Sequence, residues 1–267
     1  MSWFRMTDSA YLRDHQYRDS MNLSARANLH QQFSTNPLAW PRWVFGQIKL
    51  APGVRVLELG CGNAALWQEN RDRLPSDCAI TLSDFSSGML QTAREQLGQL
   101  AARFDWEIID AQAIGHATGT FDVVIANHML YHVPDRDRAI SEIQRVLRDG
   151  GTLYAATNGA AHMRELDDLL SAVAPEVQRD DTRSHFTLEN GAQQLGRSFA
   201  TVTVTPYPDA LDVPIAEPLI EYILSTAAAE LLDEQKLAQI RAAIDGEITA
   251  HGSFRISKSV GLFTAMA

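Results

Sequence analysis

The chain has 267 residues, 45% of them hydrophobic, enough to bury one α/β core with a small attached cap. Its formal net charge of -10 repels phosphate backbones and argues against a nucleic-acid partner. The two cysteines, Cys61 and Cys78, suit a reducing cytoplasm better than a disulfide framework, and without clustered histidines they predict no metal site.

The N-terminus, Met1 to Arg5, lacks the apolar core of a signal peptide, and no apolar run is long enough to cross a bilayer. Residues 1–50 read as mostly helical and rich in aromatics, with an amphipathic helix over 20–33 and breaks at Pro37 and Pro41. Ala51-Pro52-Gly53 is a turn that launches the first strand. Short β-rich runs then fall at 54–60, 79–85, 105–110, 121–127 and 151–157, with helical stretches at 64–74, 87–101 and 135–148 between them. Strands alternating with helices predict a parallel sheet covered on both faces. Asp149-Gly150-Gly151 marks a helix stop before the fifth strand. Beyond Asn158, helices are expected at 161–173 and near 187–198, with a strand of alternating Thr and Val at 200–205. Pro206, Pro208, Pro214 and Pro218 punctuate the next segment, and helices are expected at 216–231 and 233–250. Residues 254–264 read as one last strand. The expected organisation is a helical lid segment over 1–50, a cofactor-binding domain over 51–205 and 253–267, and a helical cap over 206–252.

The stretch Val54 to Asn63 is the most informative. An apolar strand carrying one carboxylate, Glu58, runs into the turn Gly60-Cys61-Gly62, and a helical pattern follows. Glycine lets backbone approach a bulky ligand, and such a turn aims free N–H groups over the sheet edge. Taken alone, Gly60 to Ala65 fits G-x-G-x-x-A, which a nicotinamide- or flavin-binding domain also carries.

Three later strand ends change that reading: Asp84 in Ile80 to Ser86, Asp110-Ala111-Gln112, and the run Phe121 to Asp135 containing Asn127, His128 and His132. With Glu58 and the glycine turn, they occur in the order and at the spacing of the class I S-adenosylmethionine-dependent methyltransferases. The chain resembles the small-molecule branch of that family, which includes ubiquinone-type and natural-product enzymes. The resemblance is strong over about residues 54–158 and loose elsewhere.

The resemblance implies a Rossmann-like α/β fold with a seven-stranded, mostly parallel sheet, whose antiparallel last strand inserts beside the fifth. It implies S-adenosyl-L-methionine as cofactor and methyl transfer to a small-molecule acceptor. It also assigns roles. Gly60, Cys61 and Gly62 approach the methionine part, and Glu58 orders that loop. Asp84 meets both ribose hydroxyls, for which a two-oxygen carboxylate is well suited. Phe85 and Met89 pack on ribose or adenine, Asp110 meets the adenine amino group, and Ala111 and Gln112 lie near it. Asn127 and His128 lie at the methionine end.

Residue by residue, plainer readings stand beside these. Asp84 and Asp110 suit helix caps, Cys61 suits small packing, and Asp135 suits an N-cap. His132 reads as bracing the loop after strand four, with proton acceptance from the substrate as the alternative. Among the N-terminal aromatics, Trp40 and Trp43 read as core anchors, while Tyr17, with Arg26 and His30, is placed at the border of the active site. The rival functions are an NAD(P)-dependent oxidoreductase and a protein that binds S-adenosylmethionine without methylating. A monomer or homodimer without membrane contact is expected.

Overall fold

The computed structural model describes residues 21–175 and 185–267. In chain order these form α1 (Met21–Phe33), α2 (Trp40–Gln47), β1 (Arg55–Leu59), α3 (Ala65–Glu69), β2 (Ala79–Asp84), α4 (Ser87–Leu97), β3 (Asp105–Ile108), β4 (Phe121–Asn127), α5 (Arg136–Val146) and β5 (Leu147–Asn158). Then come α6 (Arg164–Val173), α7 (Gly191–Leu195), β6 (Thr201–Pro206), β7 (Ala210–Val213), α8 (Glu217–Leu224), α9 (Glu234–His251), β8 (Phe254–Ser257) and β9 (Val260–Met266).

Seven strands make one sheet in the order β3-β2-β1-β4-β5-β9-β6. β1 to β5 pair in parallel, and β9 runs antiparallel to both β5 and β6. This is the Rossmann-like α/β architecture expected, with the last strand beside the fifth. The chain leaves β1 towards β2 and β3 on one side and returns to β4 on the other. The crevice at such a reversal, beyond the strand C-termini, is where open α/β sheets bind ligands.

Side chains alternate across a strand, so β1 feeds two cores. Leu57 and Leu59 join Val124, Leu153 and Phe263 under Ile140 and Ile143 of α5. Val56 joins Ile80, Leu82 and Ile125 under Trp67, Leu90 and Phe45, from α3, α4 and α2. Glu58 shares the face of Val56, which brings it against Trp67.

A third core is separate from the sheet. Leu29 of α1, Leu166 and Leu170 of α6, Leu219 and Ile223 of α8, and Ile240 and Ile244 of α9 pack with Leu211, Val213 and Ile256. The last three belong to β7 and β8, which form their own antiparallel pair. The expectation of one strand over 254–264 is therefore corrected. Lys258 and Ser259 interrupt it, β8 pairs with β7 against the third core, and β9 alone enters the sheet. The expected helix near 187–198 is likewise shorter, at Gly191–Leu195.

Candidate active site

The turn after β1 needs its glycines. Gly60 and Gly62 have φ of 67° and 56°, in the left-handed region. A Cβ on Gly60 would also stand 2.9 Å from Cβ of Met129. The amide of Cys61 donates to the Ser83 carbonyl at 2.8 Å, and that of Gly62 donates to Oδ2 of Asp84 at 3.0 Å.

Asp84 ends β2, and its Oδ1 accepts from the Ser86 amide at 2.9 Å. The N-cap of α4 is Ser86, whose hydroxyl accepts from the Met89 amide at 3.3 Å. Asp84 is thus bound to the glycine turn rather than capping a helix. Burial raises its carboxyl above the usual range, against the opposing pull of the Ser86, Gly62 and Phe85 amides.

Glu58 is only 2% exposed. Its Oε2 accepts from Nε1 of Trp67 at 2.5 Å. Burial pushes its carboxyl up to about 7, although hydrogen bonds to Trp67 and Asn127 oppose the rise. The amide oxygen of Asn127 is left buried without a hydrogen-bond partner.

Asp110 folds back on its own turn. Its Oδ1 accepts from the Gln112 amide at 2.9 Å and from Nε2 of Gln112 at 3.0 Å. Oε1 of Gln112 accepts from the Asp135 amide at 3.1 Å, tying this turn to the start of α5. Asp135 caps α5, as expected, accepting from the Arg138 amide at 3.0 Å. Ala111 and Met89 are buried, and Phe85 stands at the rim.

Beyond β4, His128 has φ of 51° and donates its amide to the Ala156 carbonyl at 3.0 Å. Burial first, then the charges of Lys258 and His132, hold its imidazole down to about 4. His132 ends a short 3-10 turn over Leu130–His132, with its ring 4.5 Å from that of Tyr131. Trp40 and Trp43 stack at 5.3 Å and pack on the second core, as anchors would. Trp40 also reaches the site, 5.2 Å from the His128 ring. Cys61 is buried, and burial pushes its thiol up, which suits a packing residue.

One cavity of about 1140 Å³ collects these residues. Glu58, Gly60, Cys61, Gly62, Asp84, Phe85, Met89, Asp110, Ala111, Gln112, Asn127, His128 and His132 all line it. Tyr17 lies outside the described residues, as does the side chain of Arg26. Among the described residues no group of three or more His, Cys, Asp or Glu is placed to hold a metal ion.

The cavity also contains residues that sequence reasoning missed. Lys258 lines it with its side chain 6% exposed, bonded through Nζ to Oδ2 of Asp209 at 2.5 Å. Oδ1 of that carboxylate accepts from Oγ of Ser34 at 2.8 Å and from the amides of Thr35 and Asn36 at 3.1 Å. Burial raises the Asp209 carboxyl, but Lys258 and Ser34 outweigh that and hold it below the usual range. Tyr207, His162 and Tyr222 complete the far side of the cavity. The one available signal was Lys258-Ser259, a polar pair interrupting an apolar terminal run.

Comparison with known proteins agrees with this geometry. Residues 57–155 match the family described as "Methyltransferase domain". A ubiquinone/menaquinone biosynthesis C-methyltransferase of Xanthomonas campestris is 34% identical over 115 residues, covering 42% of this chain and 46% of the relative. A malonyl-[acyl-carrier protein] O-methyltransferase of Geobacter sulfurreducens is 34% identical over 154 residues, covering 56% and 57%. The chain thus spans about half the length of the curated relatives it matches. Among solved structures, a Haemonchus contortus phosphoethanolamine N-methyltransferase with phosphomonomethylethanolamine and S-adenosylhomocysteine superposes with a TM-score of 0.60. It is 18% identical, with 98% of this chain and 60% of that chain covered, and at that identity the likeness speaks to the fold alone. The chain thus carries a methyltransferase domain over residues 57–155 and, over about half its length, is similar to C- and O-methyltransferases.

Proposed function

We propose that the protein transfers a methyl group from S-adenosyl-L-methionine to a small-molecule acceptor and releases S-adenosylhomocysteine. The observation that carries this is Asp84. Its carboxylate accepts from the Gly62 amide of the glycine turn and from the Ser86 amide before α4, and it lines the cavity. Each oxygen keeps a lone pair for one hydroxyl of a ribose diol.

The surrounding residues fit the same cofactor. Gly60 keeps the floor open where a Cβ would meet Met129. The unpartnered Asn127 oxygen suits the ammonium group of the methionine part, since a buried acceptor without a donor costs about 1–3 kcal/mol. Phe85, Met89 and Ala111 offer apolar surface to adenine, and the Asp110–Gln112 pair offers polar atoms at its edge. When bound, the cofactor supplies a methyl carbon made electrophilic by its sulfonium. The chain's task is to hold an acceptor atom in line with that carbon and to exclude water, and alignment alone supplies several kcal/mol of a barrier. The cap built on the third core, with α1, is the proposed lid. The relatives' printed activities support a small-molecule acceptor. The net charge of -10 supports the absence of a nucleic-acid partner, and the protein is read as a monomer or homodimer.

The test is ligand-dependent melting. S-adenosylhomocysteine at a hundred times its Kd should stabilise the fold by about 2.7 kcal/mol, while NAD and NADP leave it unchanged. Stabilisation by NADH with none from S-adenosylhomocysteine overturns the proposal. Binding without label transfer from S-adenosylmethionine to any of a panel of metabolite fractions moves the assignment to a non-methylating protein.

A further inference from the structure

The cavity is larger than the roughly 300–1,000 Å³ of a single drug-sized ligand site. Beyond the residues proposed for the cofactor, it continues into a chamber walled by the cap. Met163, Leu166 and Leu170 of the α6 region, Ile223 of α8 and Val260 give it an apolar wall. The polar groups that converge there include His30 of α1, His162, Asp167, Tyr222 and the Lys258–Asp209 pair.

His30 is the unexplained member. Its Nδ1 is buried without a hydrogen-bond partner. Its ring lies 6.0 Å from His162 and 6.1 Å, edge-on, from Tyr222. A buried polar atom left unpaired in a native fold calls for a ligand or a water. We propose that His30 binds the acceptor, and that the acceptor is a neutral molecule with an apolar, ring-sized body and a hydroxyl that hydrogen-bonds Nδ1 of His30. This rests on the methyltransferase reading above and names the class of substrate for the same site.

Three arguments select a neutral hydroxyl over a charged group. The first is the histidine itself: burial, then the charge of Lys258, holds it down to about 3, so it meets the ligand uncharged. A neutral imidazole presents a donor on one nitrogen and an acceptor on the other. A hydroxyl both donates and accepts, so it serves Nδ1 in either tautomer. A carboxylate serves only one and an ammonium only the other. The second is Lys258. It lines the same cavity as His30 and His128, and its charge bears on both. A carboxylate would find Lys258 already neutralised by Asp209 at 2.5 Å. The third is the wall, which rewards an apolar body and penalises burying an uncompensated charge.

The experiment uses the full chain, labelled with ¹⁵N-histidine and saturated with S-adenosylhomocysteine, with phenol, benzoate and benzylamine as probes. Phenol should bind more tightly than the other two and shift the His30 side-chain nitrogen resonances. His30→Phe should weaken phenol about tenfold, as loss of one hydrogen bond does, without changing S-adenosylhomocysteine affinity. His30→Gln, whose amide also donates and accepts, should recover part of that loss. Tighter binding of benzoate or benzylamine overturns the proposal. So does phenol binding that His30→Phe leaves unchanged, or no phenol binding while S-adenosylhomocysteine binds normally. Failure of S-adenosylhomocysteine to bind the native protein instead overturns the cofactor reading, and this inference with it.

Discussion

The sharpest test of the site is Asp84→Asn. In the structure the Asp84 carboxylate accepts from the Gly62 and Ser86 amides and faces the cavity with its remaining lone pairs. Asparagine keeps one oxygen and replaces the other by an NH₂ group. The oxygen still accepts from one of the two amides, and the other amide then faces a donor. Leaving that amide unpaired costs about 1–3 kcal/mol of stability. The loss is partly offset, because the substitution also removes a charge whose burial raises the carboxyl. The fold therefore survives. Towards the cofactor, the variant loses a charge-assisted bond to one ribose hydroxyl, about 1.5–3 kcal/mol. At 1.4 kcal/mol per factor of ten, S-adenosylhomocysteine affinity should fall roughly ten- to 140-fold. Isothermal titration calorimetry reads the affinity, and circular dichroism confirms the fold. A folded variant with native affinity would show that Asp84 serves only the glycine turn and that the ribose lies elsewhere.

Glu58 gives a pH-dependent prediction. Its carboxyl is raised from 4.5 to about 7 by burial, so between those pH values the folded state holds a proton that the unfolded state has lost. Stability contributed by this group is complete below pH 4.5 and falls as pH rises, by about 1.4 kcal/mol per pH unit and about 3 kcal/mol across the window. Glu58→Gln, which keeps an acceptor for Trp67, should lack that component in urea melts at pH 5 and pH 8. Equal pH dependence in both proteins refutes the assignment. His132→Ala should lower kcat less than tenfold and leave the shape of the pH–rate profile intact, because the ring braces the loop beside Tyr131. A hundredfold loss with a vanished neutral ionisation would make His132 the general base. Leu29 is 1% exposed in the third core, so Leu29→Ala should cost about 2–5 kcal/mol in thermal or urea unfolding. A cost under 1 kcal/mol would mean that α1 is not integral to the third core.

What the sequence by itself determined is the parallel part of the sheet and the turns at its strand ends. Glu58, the glycine turn, Asp84, Asp110 and Asn127 each sit at or just beyond the end of a β-rich run. In a parallel sheet every such end opens on the same edge, so order along the chain becomes proximity in space. Near-continuous apolar runs were enough to place β1, β2, β4 and β5, which are largely buried on both faces, and the alternation of strands with helices placed the more exposed edge strand β3. Tertiary structure alone decided the rest. Helical runs announce themselves in sequence, but not what they pack against. Only the fold shows that α1, α6, α8 and α9 share a core with β7 and β8. Lys258 meets Asp209 across 49 residues of sequence, and His30 meets Tyr222 across far more. Such pairs leave no local pattern, since each partner is an ordinary residue in its own segment and gains its role only when the chain closes on itself. The split of the expected last strand has the same origin. Phe254-Arg255-Ile256 and Val260 to Phe263 both read as β-rich, and the choice of partner, β7 or β5, is made by the burial available to each.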